Sequence, residues 1–148
     1  GCGGGFEAYA FKFLETHDIC FDTDYPYTAR QSASCKVSDN GCGTGIFSKT
    51  CHKIGEDDYS GVVAAMKKGP VDVAIDSTVC TYYKKGVMTS CNNRGLDHAI
   101  IGVGYDAELE AGVIRNSWGP DWGVEGHFYV KVDSHACGWD QDAHYVTF

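Results

Sequence analysis

Asp97-His98-Ala99-Ile100-Ile101-Gly102-Val103-Gly104-Tyr105 and, a little further on, Gly112-Val113-Ile114-Arg115-Asn116-Ser117-Trp118-Gly119 decide how this chain is read. Each is an apolar stretch of strand composition with a polar side chain at one end. His98 precedes the first and Asn116 follows the second. Joined by the loop at 106–111, the two are expected to pair as neighbouring antiparallel strands, which brings an imidazole and a carboxamide to the same end of a sheet. An imidazole placed there can hold a cysteine as thiolate. A third polar group then bonds the far ring nitrogen and fixes the ring's orientation. What this pair needs is a cysteine.

Outward from that hairpin the pattern is α+β. Phe6, Tyr9, Ala10, Phe13 and Leu14 recur at helical spacing, so residues 6–15 are expected to form an amphipathic helix after a glycine-rich lead-in that cannot be helical. Residues 20–51 are turn-rich, with four cysteines, and read as irregular structure held by disulfides. A second helix is expected over 58–68. It has acids at its start, Val62, Val63 and Met66 on one face, lysines at its end, and Gly69-Pro70 as a stop. Strands follow at 71–75, in the two segments above, and at 128–132. Helix and loop come first and sheet afterwards, which predicts two subdomains, 1–52 and 53–148.

The 148 residues, 43% apolar and 13% aromatic, are enough for one globular core. A net charge of -8 argues against a nucleic-acid partner, since polyanion binding rests on basic surface. No apolar run is long enough to span a bilayer, so no membrane partner is expected. The opening Gly1-Cys2-Gly3-Gly4-Gly5, without an initiator methionine, leads us to expect that an upstream segment has been removed. Eight cysteines point to an oxidising compartment, lysosomal, vacuolar or secreted, unless they bind metal. The metal reading requires spacings such as C-x-x-C, none of which occurs, so no metal and no cofactor are expected.

Six short motifs carry a resemblance that runs almost the whole length of the chain. They are Gly1-Cys2-Gly3-Gly4-Gly5, Asp24-Tyr25-Pro26-Tyr27, Gly69-Pro70-Val71, Asp97-His98-Ala99 with Val103-Gly104-Tyr105, Asn116-Ser117-Trp118-Gly119 with Trp122-Gly123, and Cys137-Gly138. In this order they resemble the carboxy-terminal two-thirds of the papain-like cysteine peptidases, the family that includes the cathepsins. The family's nucleophile motif near the mature amino terminus, Cys-Gly-Ser/Ala-Cys-Trp/Tyr, is absent. The resemblance therefore implies a papain-like two-subdomain fold, a helical and loop part plus an antiparallel barrel-like β part, that is incomplete without its amino-terminal segment.

Residue by residue, the resemblance implies that His98 is the catalytic imidazole and that Asn116 orients it, with Trp118 shielding their hydrogen bond. Gly4 and Gly5 would present bare backbone to an extended peptide. Phe6, Ala74, Asp97 and Ala99 would line the substrate cleft, with Trp122 on the leaving-group side. Asp142, five positions after Cys137, would sit at the floor of the pocket that governs substrate choice and admit arginine there. Cys91 and Cys137 match a family disulfide. Cys2 and Cys35 match positions whose partners lie in the missing segment. Cys20, Cys42, Cys51 and Cys80 are additions, for which nearness in sequence suggests a Cys42–Cys51 bridge.

Three kinds of protein fit these residues. The first is the heavy chain of a cysteine endopeptidase whose nucleophile lies on a disulfide-linked amino-terminal light chain, acting on peptide or protein substrates. The second is an inactive homologue that binds peptides or is structural. The third is a disulfide-rich binding module, which has no reason to keep His98, Asn116 and Trp118 together. The first is the expectation taken forward.

Overall fold

The computed structural model describes residues 3–37 and 42–148. In chain order its elements are α1 (Glu7–Phe13), β1 (Thr50–Lys53), α2 (Tyr59–Met66), β2 (Val71–Ile75), β3 (Val87–Met88), β4 (His98–Asp106), β5 (Ala111–Arg115), β6 (His127–Lys131) and β7 (Ala143–Thr147), with short 3-10 turns between them. The class is α+β, and the strands form one sheet in the order β1-β7-β2-β4-β5-β6-β3. Its inner pairs are antiparallel, while the two-residue edge strand β3 runs parallel to β6. Contacts divide the chain into two units, residues 1–52 with 146–148 and residues 53–145.

In the first unit α1 forms over the expected segment, but none of its residues is buried. Phe6, Tyr9 and Phe13 all face out, so the apolar stripe that shapes the helix is not used within the described chain. No regular element occurs between α1 and β1 among the described residues. What organises that stretch is Asp18, a buried carboxylate that accepts the N–H groups of Cys42 and Gly45 and the hydroxyl of Thr44. By drawing residues 42–45 against residue 18 it sets Cys42 beside Cys20, and these two form a disulfide with Cα atoms 5.2 Å apart. The Cys42–Cys51 bridge suggested by nearness in sequence is therefore incorrect.

In the second unit α2 begins at Asp58, whose carboxylate accepts the N–H of Gly61 at 2.9 Å and so caps one of the orphan donors of the first turn. Val62, Ala65 and Met66 are its buried face. The helix lies close on β4 because Gly102 has no side chain: a Cβ there would come within 2.6 Å of the Met66 sulfur. Below it, alternate residues of β2 (Val71, Val73 and Ile75) are fully buried with Ile114, Phe128, Val130 and Trp139. That single apolar core fixes which way each strand faces, since a one-residue slip would turn its whole apolar set outward.

Candidate active site

Strand β4 starts at His98, which lies opposite Ile75 of β2, and β5 ends one residue before Asn116. The two strands are antiparallel with a register shift between Gly102 and Gly104, so their outer ends meet at one edge. There the Nε2 of His98 and the Oδ1 of Asn116 are 2.9 Å apart. The same Oδ1 accepts the Ser117 backbone N–H at 2.7 Å, which fixes the amide with its oxygen toward the ring. Nε2 therefore carries the proton and donates it, leaving Nδ1 as the ring nitrogen able to face a thiol. Asn116 is 8% exposed, and its own N–H is held by the Gly126 carbonyl at 2.9 Å.

Trp118 stacks on the His98 ring, with centroids 5.0 Å apart and planes 20° from parallel. Trp122 meets Trp118 edge-on at 5.2 Å and packs in turn on Phe128 and Tyr83. Tyr83 anchors this aromatic column to the sheet, donating its hydroxyl to the Gly86 carbonyl at 2.6 Å and accepting the Tyr129 N–H at 3.3 Å. The His98–Asn116 bond beside this column is partly buried, while Trp118 itself is 38% exposed. Among the described residues, the Asn116 Nδ2 and Trp122 Nε1 are buried without a hydrogen-bond partner.

The loop that delivers His98, residues 91–97, is held from three directions. Cys91 is bonded to Cys137 with Cα atoms 4.9 Å apart. Asp76, buried at the end of β2, accepts the N–H of Arg94 at 2.8 Å and that of Thr78 at 2.9 Å, while its own N–H reaches the Cys137 carbonyl at 2.8 Å. Asn93 donates to Gln141 at 2.6 Å. The hydrogen bonds to Asp76, from the Thr78 side chain and the Arg94 N–H foremost, hold its carboxyl below the usual carboxylate range. Asp76 is not singled out by the sequence, where it is one more acid after a strand. Its burial is the signal, and only the fold supplies that.

Of the remaining expected residues, Asp97 uses its carboxylate to accept the Ser77 N–H at 2.8 Å, so that group is engaged within the chain. Ala74 and Ala99 lie opposite each other on β2 and β4, and the Ala74 N–H donates to the Asp142 carbonyl at 3.1 Å, which gathers these three at one place. The Asp142 carboxylate is 3.1 Å from the Lys53 ammonium and 3.9 Å from the His144 ring, two neighbours the sequence does not reveal. Gly4, Gly5 and Phe6 belong to the other unit and are exposed; Gly4 takes a φ of +85°, with open space where a Cβ would stand. Cys35 is an exposed free thiol, and Cys2 lies outside the described residues. Cys80 is a buried thiol whose pKa is pushed up to about 11, by burial first and by the nearby Asp76 and Asp97 charges second.

Residues 1–147 match the family described as "Papain family cysteine protease". The viral cathepsin of Orgyia pseudotsugata multicapsid polyhedrosis virus is 33% identical over 144 residues, covering 93% of this chain and 43% of the viral protein. Cysteine proteinase 1 of Dictyostelium discoideum is 31% identical over 147 residues, covering 93% of this chain and 42% of its own. Among solved structures, the bromelain protease of Ananas comosus in complex with the E64 inhibitor superposes with a TM-score of 0.85 at 30% identity, over 100% of this chain and 72% of that one. Digestive procathepsin L 3 of the Tenebrio molitor larval midgut gives 0.85 at 28%, over 100% and 50%. The chain belongs to the papain family of cysteine proteases, and it spans less than half the length of the curated relatives it matches.

Proposed function

We propose that this chain supplies the histidine and asparagine of a cysteine endopeptidase whose thiol nucleophile resides on an amino-terminal segment or light chain. The observation that carries this reading is the His98–Asn116 hydrogen bond under the stacked Trp118 ring. In the proposed reaction the Nδ1 of His98 takes the thiol proton, so that thiolate and imidazolium form an ion pair. The thiolate attacks the peptide carbonyl and the imidazolium then protonates the leaving amine, giving a thioester that water hydrolyses with His98 as base. Asn116 keeps the ring in one orientation through both proton transfers. Gly4, Gly5, Phe6, Ala74, Ala99, Trp122 and Asp142 are proposed to contact the substrate, with Asp97 supporting the cleft from its bond to Ser77.

Three observations favour a covalent amino-terminal partner. Phe6, Tyr9 and Phe13 leave an apolar stripe of the first unit exposed, Ile101 and Val103 do the same on the second, and Cys35 offers an exposed thiol. An oxidising compartment, lysosomal, vacuolar or secreted, goes with that assignment. The test is peptide hydrolysis by the chain alone and with the amino-terminal segment of its own precursor. Activity is expected only together, with loss on thiol alkylation and on His98→Ala. Hydrolysis by the isolated chain would overturn the reading. A correctly assembled pair that binds peptides without cleaving them would instead make the protein an inactive homologue.

A further inference from the structure

Three side chains of the second unit, one near its start and two near its end, converge without any part in the chemistry above. The imidazole Nδ1 of His135 lies 2.6 Å from the Oδ2 of Asp140 and 4.0 Å from the Oδ1 of Asp57. One ligand atom from each of the three residues falls within 4.8 Å of the others. Two carboxylates thus face one ring nitrogen, so the group keeps a negative charge even when the imidazole is protonated. Asp140 sharpens the imbalance. It is 0% exposed, and its second oxygen, Oδ1, is buried with no hydrogen-bond partner among the described residues. Its only ionic partner there is His135, itself partly exposed. A carboxylate oxygen withdrawn from water and left unmatched is costly unless a cation or donor meets it.

We propose that Asp57, His135 and Asp140 form a zinc site. One imidazole nitrogen and two carboxylate oxygens make a donor set suited to this borderline ion, whereas calcium takes six or more oxygens. Zinc bonds of about 2.0–2.2 Å place tetrahedral ligand atoms about 3.4 Å apart, so the present positions need to shift by well under a side-chain rotamer. Three protein ligands leave a fourth position for water. The Asp57 carboxylate also accepts the Gln141 side-chain N–H at 3.4 Å, which orients that ligand from outside, and the Asp57 backbone N–H donates to the Asp140 carbonyl at 3.1 Å, which ties the two acidic residues together. No ligand spacing betrays this in the sequence, because Asp57 is remote and the other two residues are five positions apart on a turn. Bound zinc would brace the turn containing Cys137, and with it the loop bonded at Cys91, against the cap of α2.

The proposal is tested by zinc titration of the purified, fully assembled protein with its thiols alkylated, so that cysteine ligands are removed. Calorimetry is expected to give one zinc per chain, and the thermal midpoint is expected to rise with added zinc. Asp57→Asn, at an exposed position whose left-handed backbone, with a φ of 58°, asparagine tolerates as well as aspartate, should weaken binding at least tenfold, and His135→Gln should do the same. Cobalt is expected to show the visible bands of a tetrahedral ion without a thiolate charge-transfer band, and both variants should lose them. No binding, or binding that Asp57→Asn and His135→Gln leave unchanged, would overturn the proposal.

Discussion

His98 is oriented by one bond and one ring, and the two should be separable. In the proposed reaction, replacing His98 by alanine would remove the proton carrier, and general acid–base groups contribute about 10²–10⁴-fold, so kcat/KM of the assembled protein should fall by at least that range. On the same proposal, Asn116→Ala would remove orientation and not chemistry. A loss of about 10- to 100-fold is expected, in kcat far more than in KM. Elsewhere on the chain, thiols of the same residue type should react very differently. Cys35 is exposed and Cys80 is fully buried with its pKa pushed up to about 11. Since thiolate is the reactive form, iodoacetamide at mild alkaline pH, applied to the chain separated from its proposed disulfide partner, should label Cys35 and spare Cys80 until the chain is unfolded, as read by peptide mass spectrometry. Equal labelling of the two would contradict the packing described around Cys80. The contact between His98 and Asn116 is legible in the sequence because each lies at the end of an apolar run. Lys53 beside Asp142 is not, since nothing local joins positions 89 residues apart.

Among the elements, the loop at 91–97 is where stability and the proposed site meet. The Cys91–Cys137 bridge closes 46 residues, which on the chain-entropy account contributes about 4 kcal/mol. Urea unfolding of the Cys91→Ser, Cys137→Ser double variant should show a loss of that order. Asp76 adds a dependence on acidity. Its carboxyl is held below the ordinary value in the folded state, so its contribution is fully present above the unfolded pKa of about 3.9 and fades as pH falls through the lower folded value. The gap in thermal midpoint between the wild type and Asp76→Asn should therefore be constant near neutrality and shrink below about pH 4. A gap that widened in acid would reverse the assigned sign. Strand β2 can be read to the residue from Val-Asp-Val-Ala-Ile followed by polar residues, and α2 from its acid cap and its lysines. β7 escapes such reading: Ala143-His144-Tyr145-Val146-Thr147 mixes polar and apolar residues, and it becomes a strand by pairing with its neighbours in the sheet, β1 and β2. The Cys20–Cys42 bridge escapes for a related reason, because Asp18 sets it and not sequence distance.

At the scale of the whole molecule, the amphipathic pattern of α1 predicts a buried face and none is found within the described chain. Periodicity reports that a helix needs a neighbour without naming the neighbour, and here the proposed one is an amino-terminal segment. Non-reducing peptide mapping of the assembled protein should accordingly find Cys35 joined to a peptide from outside residues 1–148, and a Cys2–Cys35 pair would contradict the two-chain arrangement. A library of peptides varied at the second residue before the cleaved bond should show arginine accepted by the wild type and refused by Asp142→Ala, with leucine retained in both; an unchanged profile would remove Asp142 from the substrate contacts. One consequence concerns time. His98 and Asn116 are 18 positions apart on the single β4–β5 hairpin, and hairpins close in about 1–10 μs, so this bond is set long before any encounter between separate chains. If activity arises by reassembly, its lag after mixing should shorten in proportion to the concentration of the second chain, while the orienting pair contributes no delay of its own.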